Sequence, residues 1–248
     1  MNFKKYARFY ELFNQEKDYK AEVDYVLSLI SQYAPGAKSL LELGAGTGKH
    51  AGILRANGFE VIGIERSAEM AGLARENGVE CVVGDISKTD LEREFDVVVS
   101  LFHVISYLTD YQDLVNTFRL TNRHLKDGGI FIFDTWFTDA VEVQKPERRE
   151  KLVEYEGFKI KRIAEPVNHP DQKLVEVAYK FSLVGPDELE TDSWQETHPM
   201  RHFSISEIEV LAKSSGFELI RAEEFSSGAA PSAKTWGVCF ILRKYNIS

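Results

Sequence analysis

Ser39-Leu40-Leu41-Glu42-Leu43-Gly44-Ala45-Gly46-Thr47-Gly48 joins a short apolar run to a glycine-rich turn. Five residues, apolar apart from Ser39 and Glu42, run into three glycines spaced two apart, and a helical pattern follows over residues 47–57. An apolar run of this length suits a strand buried on both faces. The glycines permit positive φ and let a backbone approach a ligand closely where strand turns into helix. A tight strand-to-helix turn holding no ligand has the same composition, so the surrounding residues must decide.

Outward from this point, apolar runs at residues 59–64, 80–83, 95–100 and 130–134 join 39–43 as five buried strands, rich in Val, Ile, Leu and Phe. Helical patterns at 47–57, 68–77 and 111–125 fill the gaps. Ser67 is placed to cap the second, and Gly58, Gly78 and Gly128 are the expected stops. Asp127-Gly128-Gly129 turns the chain into the fifth strand. Strands alternating with helices predict an α/β fold with a doubly wound, mostly parallel sheet of Rossmann-like form.

Beyond Asp134 the period changes. Val175, Val177, Tyr179, Phe181 and Leu183 alternate with Glu176, Ala178, Lys180 and Ser182, as in a half-buried strand. Residues 157–163 offer a partner, His169-Pro170-Asp171 lies between the two, and 189–198 supply a third strand. Residues 140–200 are therefore expected to form an inserted antiparallel β-layer over the active site, with 1–139 and 201–248 forming the ligand-binding domain. Ser204 and Glu207 have capping-box spacing, Gly216 closes that last helix, and strands at 217–225 and 235–243 complete a seven-stranded sheet.

Composition narrows the function. A chain of 248 residues, 44% hydrophobic and 28% charged with seven prolines, is a globular protein of one large domain, neither disordered nor fibrous. Thirty Lys and Arg against 39 Asp and Glu give a net charge of −9, opposed to broad nucleic-acid binding. Cys81 and Cys239 offer neither metal-ligand spacing nor a disulfide framework, which fits a reducing cytoplasm. The N-terminus leads into charge rather than an apolar signal core, and no apolar run approaches the length of a bilayer span, so no membrane partner is expected.

In open parallel sheets ligands collect beyond the C-terminal strand ends. Counted from Gly44, a dinucleotide fingerprint wants its third glycine where Lys49 stands; counted from Gly46, Ala51 meets only the looser form, and the Lys-Ser or Lys-Thr ending of a triphosphate loop does not occur. Glu65 ends the second strand, where a carboxylate can accept both hydroxyls of a ribose. Asp85, after the third, can accept from an adenine amino group or simply cap a turn.

With these residues in place, the sequence resembles the class I S-adenosylmethionine-dependent methyltransferases. The matching pieces are Leu41 to Gly48, Val61-Ile62-Gly63-Ile64-Glu65, Gly84-Asp85-Ile86 and Leu125-Lys126-Asp127-Gly128-Gly129, in order and at the family's spacing. The resemblance implies S-adenosylmethionine as cofactor and no metal. It further implies that Gly44, Ala45, Gly46 and Gly48 line the methionine part, Glu65 holds the ribose, Asp85 the adenine amino group and Ile86 the ring. Glu42 would order the loop, and Arg66 and Leu101 join the cofactor-binding set. A looser likeness extends to the sugar N,N-dimethyltransferases that finish desosamine and mycaminose as nucleotide-linked aminosugars. It rests on Phe9-Tyr10-Glu11-Leu12, Lys17-Asp18-Tyr19, Ser106-Tyr107-Leu108, Glu196-Thr197-His198 and Pro231-Ser232-Ala233-Lys234. Those enzymes carry paired tryptophans where this chain has Trp136-Phe137, and an arginine where it has Lys234. The likeness implies a homodimer.

Methyl transfer is an in-line displacement, so the protein must mainly align donor and acceptor and exclude water. An amine acceptor needs a group that positions it or takes its proton. Tyr107 and His103, both after the fourth strand, are the catalytic candidates, with a packing role the simpler reading of His103. Tyr10 and Tyr19 would form an aromatic lid over the sulfonium. Trp136, Arg201 and Lys234 are the substrate-binding candidates, the two cations for a diphosphate. His198 and His202 flank Pro199 with no third ligand in view, so zinc is not expected. The expected activity is N-methylation of a small molecule, a nucleotide-linked aminosugar; the alternatives are O-methylation of a sugar or natural product, and S-adenosylmethionine binding without catalysis.

Overall fold

A computed structural model describes residues 4–245, with side chains from Phe9 onward. Helices α1 (Lys4–Phe13) and α2 (Tyr19–Tyr33) precede the sheet, the second capped by the Asp18 carboxylate, which accepts from the Ala21 amide. The alternating part follows as β1 (Ser39–Leu43), α3 (Lys49–Ala56), β2 (Glu60–Glu65), α4 (Ala68–Glu76), β3 (Glu80–Val83), β4 (Phe95–Ser100), α5 (Tyr111–Arg123) and β5 (Leu125–Phe137). Ser67 caps α4, accepting from the Met70 amide. Gly58 and Gly78 follow α3 and α4 at φ +92° and +79°. Gly128 does not end a helix: α5 stops at Arg123, and Gly128 (φ +72°) bends the chain inside β5. The tight turn required there sits in the strand because its first residue, Leu125, already pairs with Phe95.

Strands β3, β2, β1, β4 and β5 are parallel neighbours in that order. After helix α7 (Ile205–Ser214), whose Ser204–Glu207 capping box is formed, β10 (Phe217–Glu224) and β11 (Gly237–Lys244) complete the seven-stranded sheet. β11 lies antiparallel on β5, and β10 lies beyond it. Strand order reverses between β1 and β4, and ligand crevices form at such a point. Alternation along β5 builds both faces of the core. Phe131 and Phe133 join Phe118, Phe217 and Phe240 on one side. Ile130 and Ile132 join Val97, Val99 and the apolar stripe of α2 on the other.

Helix α6 (Thr138–Gln144) leads into four antiparallel strands, β6 (Arg149–Tyr155), β7 (Phe158–His169), β8 (Leu174–Val184) and β9 (Glu190–Phe203). Two features differ from expectation. There is a fourth strand, β6, whose sequence Arg-Glu-Lys-Leu-Val-Glu-Tyr is too charged to signal itself. The insertion also hydrogen-bonds into the main sheet, because the end of β5 pairs with β9 through Trp136–His202 and Phe137–Phe203. Helix α1 lies against the insertion, with Phe9 over Trp194 and Phe13 edge-on to Phe181. No helix among the described residues is long and apolar enough to cross a membrane.

Candidate active site

A cavity of about 430 Å³ opens at the C-terminal ends of β1 to β4 and runs under α1 toward the insertion. At one end, the β1–α3 loop lies bare. Gly44 (φ +73°) approaches so closely that a Cβ would sit 2.6 Å from Cγ1 of Val104. Gly46 (φ +56°) has open space where a side chain would stand. Glu65 secures this loop: its Oε2 accepts from the Gly46 amide at 2.9 Å and its Oε1 from the Ser67 amide at 2.8 Å. Each carboxylate oxygen retains lone-pair capacity for a ligand hydroxyl. Asp85 accepts through Oδ1 from the amide and hydroxyl of Ser87, at 3.0 and 2.7 Å. Burial opposes its charge, but those bonds and nearby Arg66 and Lys88 outweigh burial and hold it below the usual carboxylate range. Ala45, Arg66, Ile86 and Leu101 also line this end.

Glu42 and Gly48 lie behind the wall rather than in it. A Cβ on Gly48 would sit 3.0 Å from that of Ala74, so this glycine serves the packing of α3 on α4. Glu42 is buried, with His50 Nδ1 3.7 Å from its Oε1 and no hydrogen-bond partner for its Oε2 among the described residues. Burial pushes its carboxyl up to about 8. His50 Nε2 in turn meets Glu22 at 2.8 Å, and Lys17 approaches the same carboxylate at 3.0 Å.

Toward the insertion the walls become aromatic. Tyr10 and Tyr19 enter from α1 and α2, Trp136 from β5 and Tyr179 from β8. The Tyr107 hydroxyl lies 3.0 Å from His198 Nδ1, and His198 Nε2 lies 3.4 Å from Glu196. His103 also lines the cavity, with Nδ1 2.6 Å from Oδ2 of buried Asp134. His198, Tyr179, Arg162 and Met200 line it too, and Asp134 stands directly behind His103. Sequence reasoning gave none of these five a site role. Asp134 announced itself only as an acidic strand end, and Tyr179 only as one side of an alternating strand.

Arg201 and Lys234 are corrected. Arg201 does not reach the cavity; it lies in a separate groove between α5 and α7, 3.3 Å from Glu207 and above the Phe203 ring. Lys234 is exposed on the β10–β11 connection. Charge pointed to Arg201 and the likeness to the aminosugar enzymes pointed to Lys234, and β-strand alternation and loop path send them elsewhere. The cation that does line the insertion end is Arg162, on β7. His198 and His202 engage Tyr107 and Thr138, respectively.

The sheet order and the glycine loop are those of a Rossmann-like methyltransferase fold. The profile of a family described as a methyltransferase domain matches residues 14–222, and the chain belongs to that family. Among its relatives, a dTDP-3-amino-3,4,6-trideoxy-alpha-D-glucopyranose N,N-dimethyltransferase of Streptomyces venezuelae is 26% identical, over 90% of this chain and 94% of its own. A dTDP-3-amino-3,6-dideoxy-alpha-D-glucopyranose N,N-dimethyltransferase of Streptomyces fradiae is 27% identical, over 92% and 88%. In fold, the chain is similar to the sugar N-methyltransferase KedS8 from a Streptoalloteichus species. That match has TM-score 0.81 at 22% identity and covers 96% of this chain and 93% of the other.

Proposed function

We propose that this protein transfers a methyl group from S-adenosylmethionine to an amine nitrogen of a small molecule, and that the acceptor is a nucleotide-linked aminosugar. The observation that carries the reading is the cavity's polarity: bare loop and carboxylates at one end, aromatic walls with two histidine-centred pairs at the other. The first end fits the cofactor, because only glycine leaves Gly46 open and the Glu65 and Asp85 carboxylates suit the donors of ribose and adenine. When bound there, S-adenosylmethionine supplies an electrophilic methyl group on a sulfonium.

The chain's own residues do the rest. Glu65 and Asp85 fix the adenosyl part, Ile86 packs on the ring, and Tyr10 and Tyr19 present aromatic faces to the cation, a contact worth ~0.5–2 kcal/mol. His103 and Tyr107 meet the acceptor, the Tyr107 hydroxyl holding its nitrogen in line and the His103 imidazole receiving its proton. Arg162 supplies the cation for the acceptor's phosphates, the part first expected of Arg201 and Lys234. The relatives named above, dTDP-aminosugar N,N-dimethyltransferases at about this length, support the choice of nitrogen and of acceptor class. The β6–β9 insertion covers the acceptor end in this reading, the enzyme works in a reducing cytoplasm, and it works as a homodimer.

A panel of sugar nucleotides bearing either an amino or only hydroxyl groups, assayed for S-adenosylhomocysteine release, tests the proposal. Turnover confined to the amino members is expected; turnover on hydroxyl members alone would assign O-methylation. Tyr107→Phe should lower kcat at least tenfold while leaving S-adenosylmethionine affinity within about twofold. Equal loss of both would put Tyr107 in the cofactor wall.

A further inference from the structure

We infer that Asp134 is the positioning residue of this site: it holds a strained turn after β4 and, through that turn, fixes the tautomer and direction of the His103 imidazole. The inference rests on the amine methyltransferase reading. Phe102 and His103, consecutive and neither a glycine, have φ of +65° and +61°. Side chains disfavour this left-handed region, and a residue stays there only where its surroundings over-determine it.

Those surroundings are visible. The His103 amide donates to both Asp134 oxygens at 3.2 Å, and the ring nitrogen Nδ1 lies 2.6 Å from Oδ2 as a close charge contact, off the line of a hydrogen bond. The Lys17 ammonium lies over the Phe102 ring, 3.2 Å from its centre, and pins the other half of the turn. Asp134 itself is 1% exposed and sits in the sheet opposite Cys239 of β11, so its carboxylate cannot swing away. Burial opposes its charge, but the His103 ring and amide and the Lys17 ammonium more than compensate and hold it ionised. His50 and the Cys239 thiol also face this carboxylate.

An ionised carboxylate only accepts, and at 2.6 Å it would repel a lone pair on Nδ1, so the neutral ring carries its proton there and keeps its lone pair on Nε2. The imidazole is also boxed: a Cβ on Gly237 would come within 3.2 Å of His103 Cε1, and Trp136 stands edge-on to the ring at 6.4 Å between centres. Asp134 thus delivers Nε2, as a base, to the cavity that His103 lines. It does so without touching the acceptor.

Nitrogen NMR of the imidazole in the full chain, with the signal assigned by His103→Gln, tests this directly. The wild type should show a protonated Nδ1 and an unprotonated Nε2. Asp134→Asn, nearly isosteric, should abolish that preference and lower kcat about 10²-fold or more, with calorimetric S-adenosylmethionine affinity within about twofold of wild type. Gly237→Ala, which leaves every charge in place, should lower kcat several-fold by shifting the ring. A wild-type ring protonated on Nε2 would overturn the inference, as would an Asp134→Asn protein with unchanged tautomer and kcat. If that variant does not fold, the wild-type tautomer and Gly237→Ala decide. A wild type with the expected tautomer that methylates no amine would instead remove the functional reading and leave the Asp134–His103 coupling standing.

Discussion

At the scale of single residues, Glu65 does two things at once. Its carboxylate anchors the amides of Gly46 and Ser67, and so ties the glycine loop to the start of α4. In the proposed complex it also accepts from the ribose. Glu65→Ala should therefore weaken S-adenosylmethionine binding at least tenfold, from lost charge-assisted bonds and a loosened loop together. Titration calorimetry checks this; unchanged affinity in a folded variant would mean the ribose lies elsewhere. Glu65, Asp85 and the loop were readable in the sequence because each stands at or just beyond a strand end, and strand ends announce themselves. His103–Asp134 and Tyr107–His198 were not, because their partners lie 31 and 91 residues apart. No local pattern marks such pairs.

At the scale of elements, α1 is held almost wholly by tertiary contacts. Ten residues are too few for a helix to persist alone in water. Glu11 bonds the Thr47 hydroxyl of the glycine loop. Lys151 of β6 donates to the Phe13 carbonyl at 3.0 Å and to Glu16 at 2.7 Å. Phe13 is 2% exposed against Phe181 and the Arg162 guanidinium. Removing a buried aromatic ring costs about 3–5 kcal/mol, more than so short a helix can lose and stay docked. Phe13→Ala should therefore speed proteolytic cutting near residues 4–18 and weaken cofactor affinity several-fold, since Tyr10 and Tyr19 line the cavity, while the sheet core stays protected. Limited proteolysis with mass spectrometry, alongside calorimetry, would read both effects; equal cutting of both proteins would show α1 held by other means.

At the scale of the whole molecule, stability is tied to pH through Glu42. Its folded value of about 8 stands above an ordinary 4.5, so between the two the folded state holds a proton that the unfolded state has released. Its contribution is fully present below the lower value and is lost as pH rises through the upper, by at most roughly 1.4 kcal/mol per pH unit. Glu42→Gln should flatten that decline, so that the variant gains on wild type between about pH 5 and pH 8 in urea unfolding; parallel curves would show Glu42 ionised throughout. The parallel strands themselves, the caps of α4 and α7, the glycine loop and the acidic residues beside it were legible in the amino-acid sequence, because period, capping and turn chemistry act over a few residues. Tertiary structure alone decided that β6 exists, that the insertion joins the end of β5, that Arg162 rather than Arg201 or Lys234 reaches the cavity, and that Asp134 stands behind His103. Those outcomes depend on which faces pack together across distant parts of the chain, and packing is a property of the assembled core.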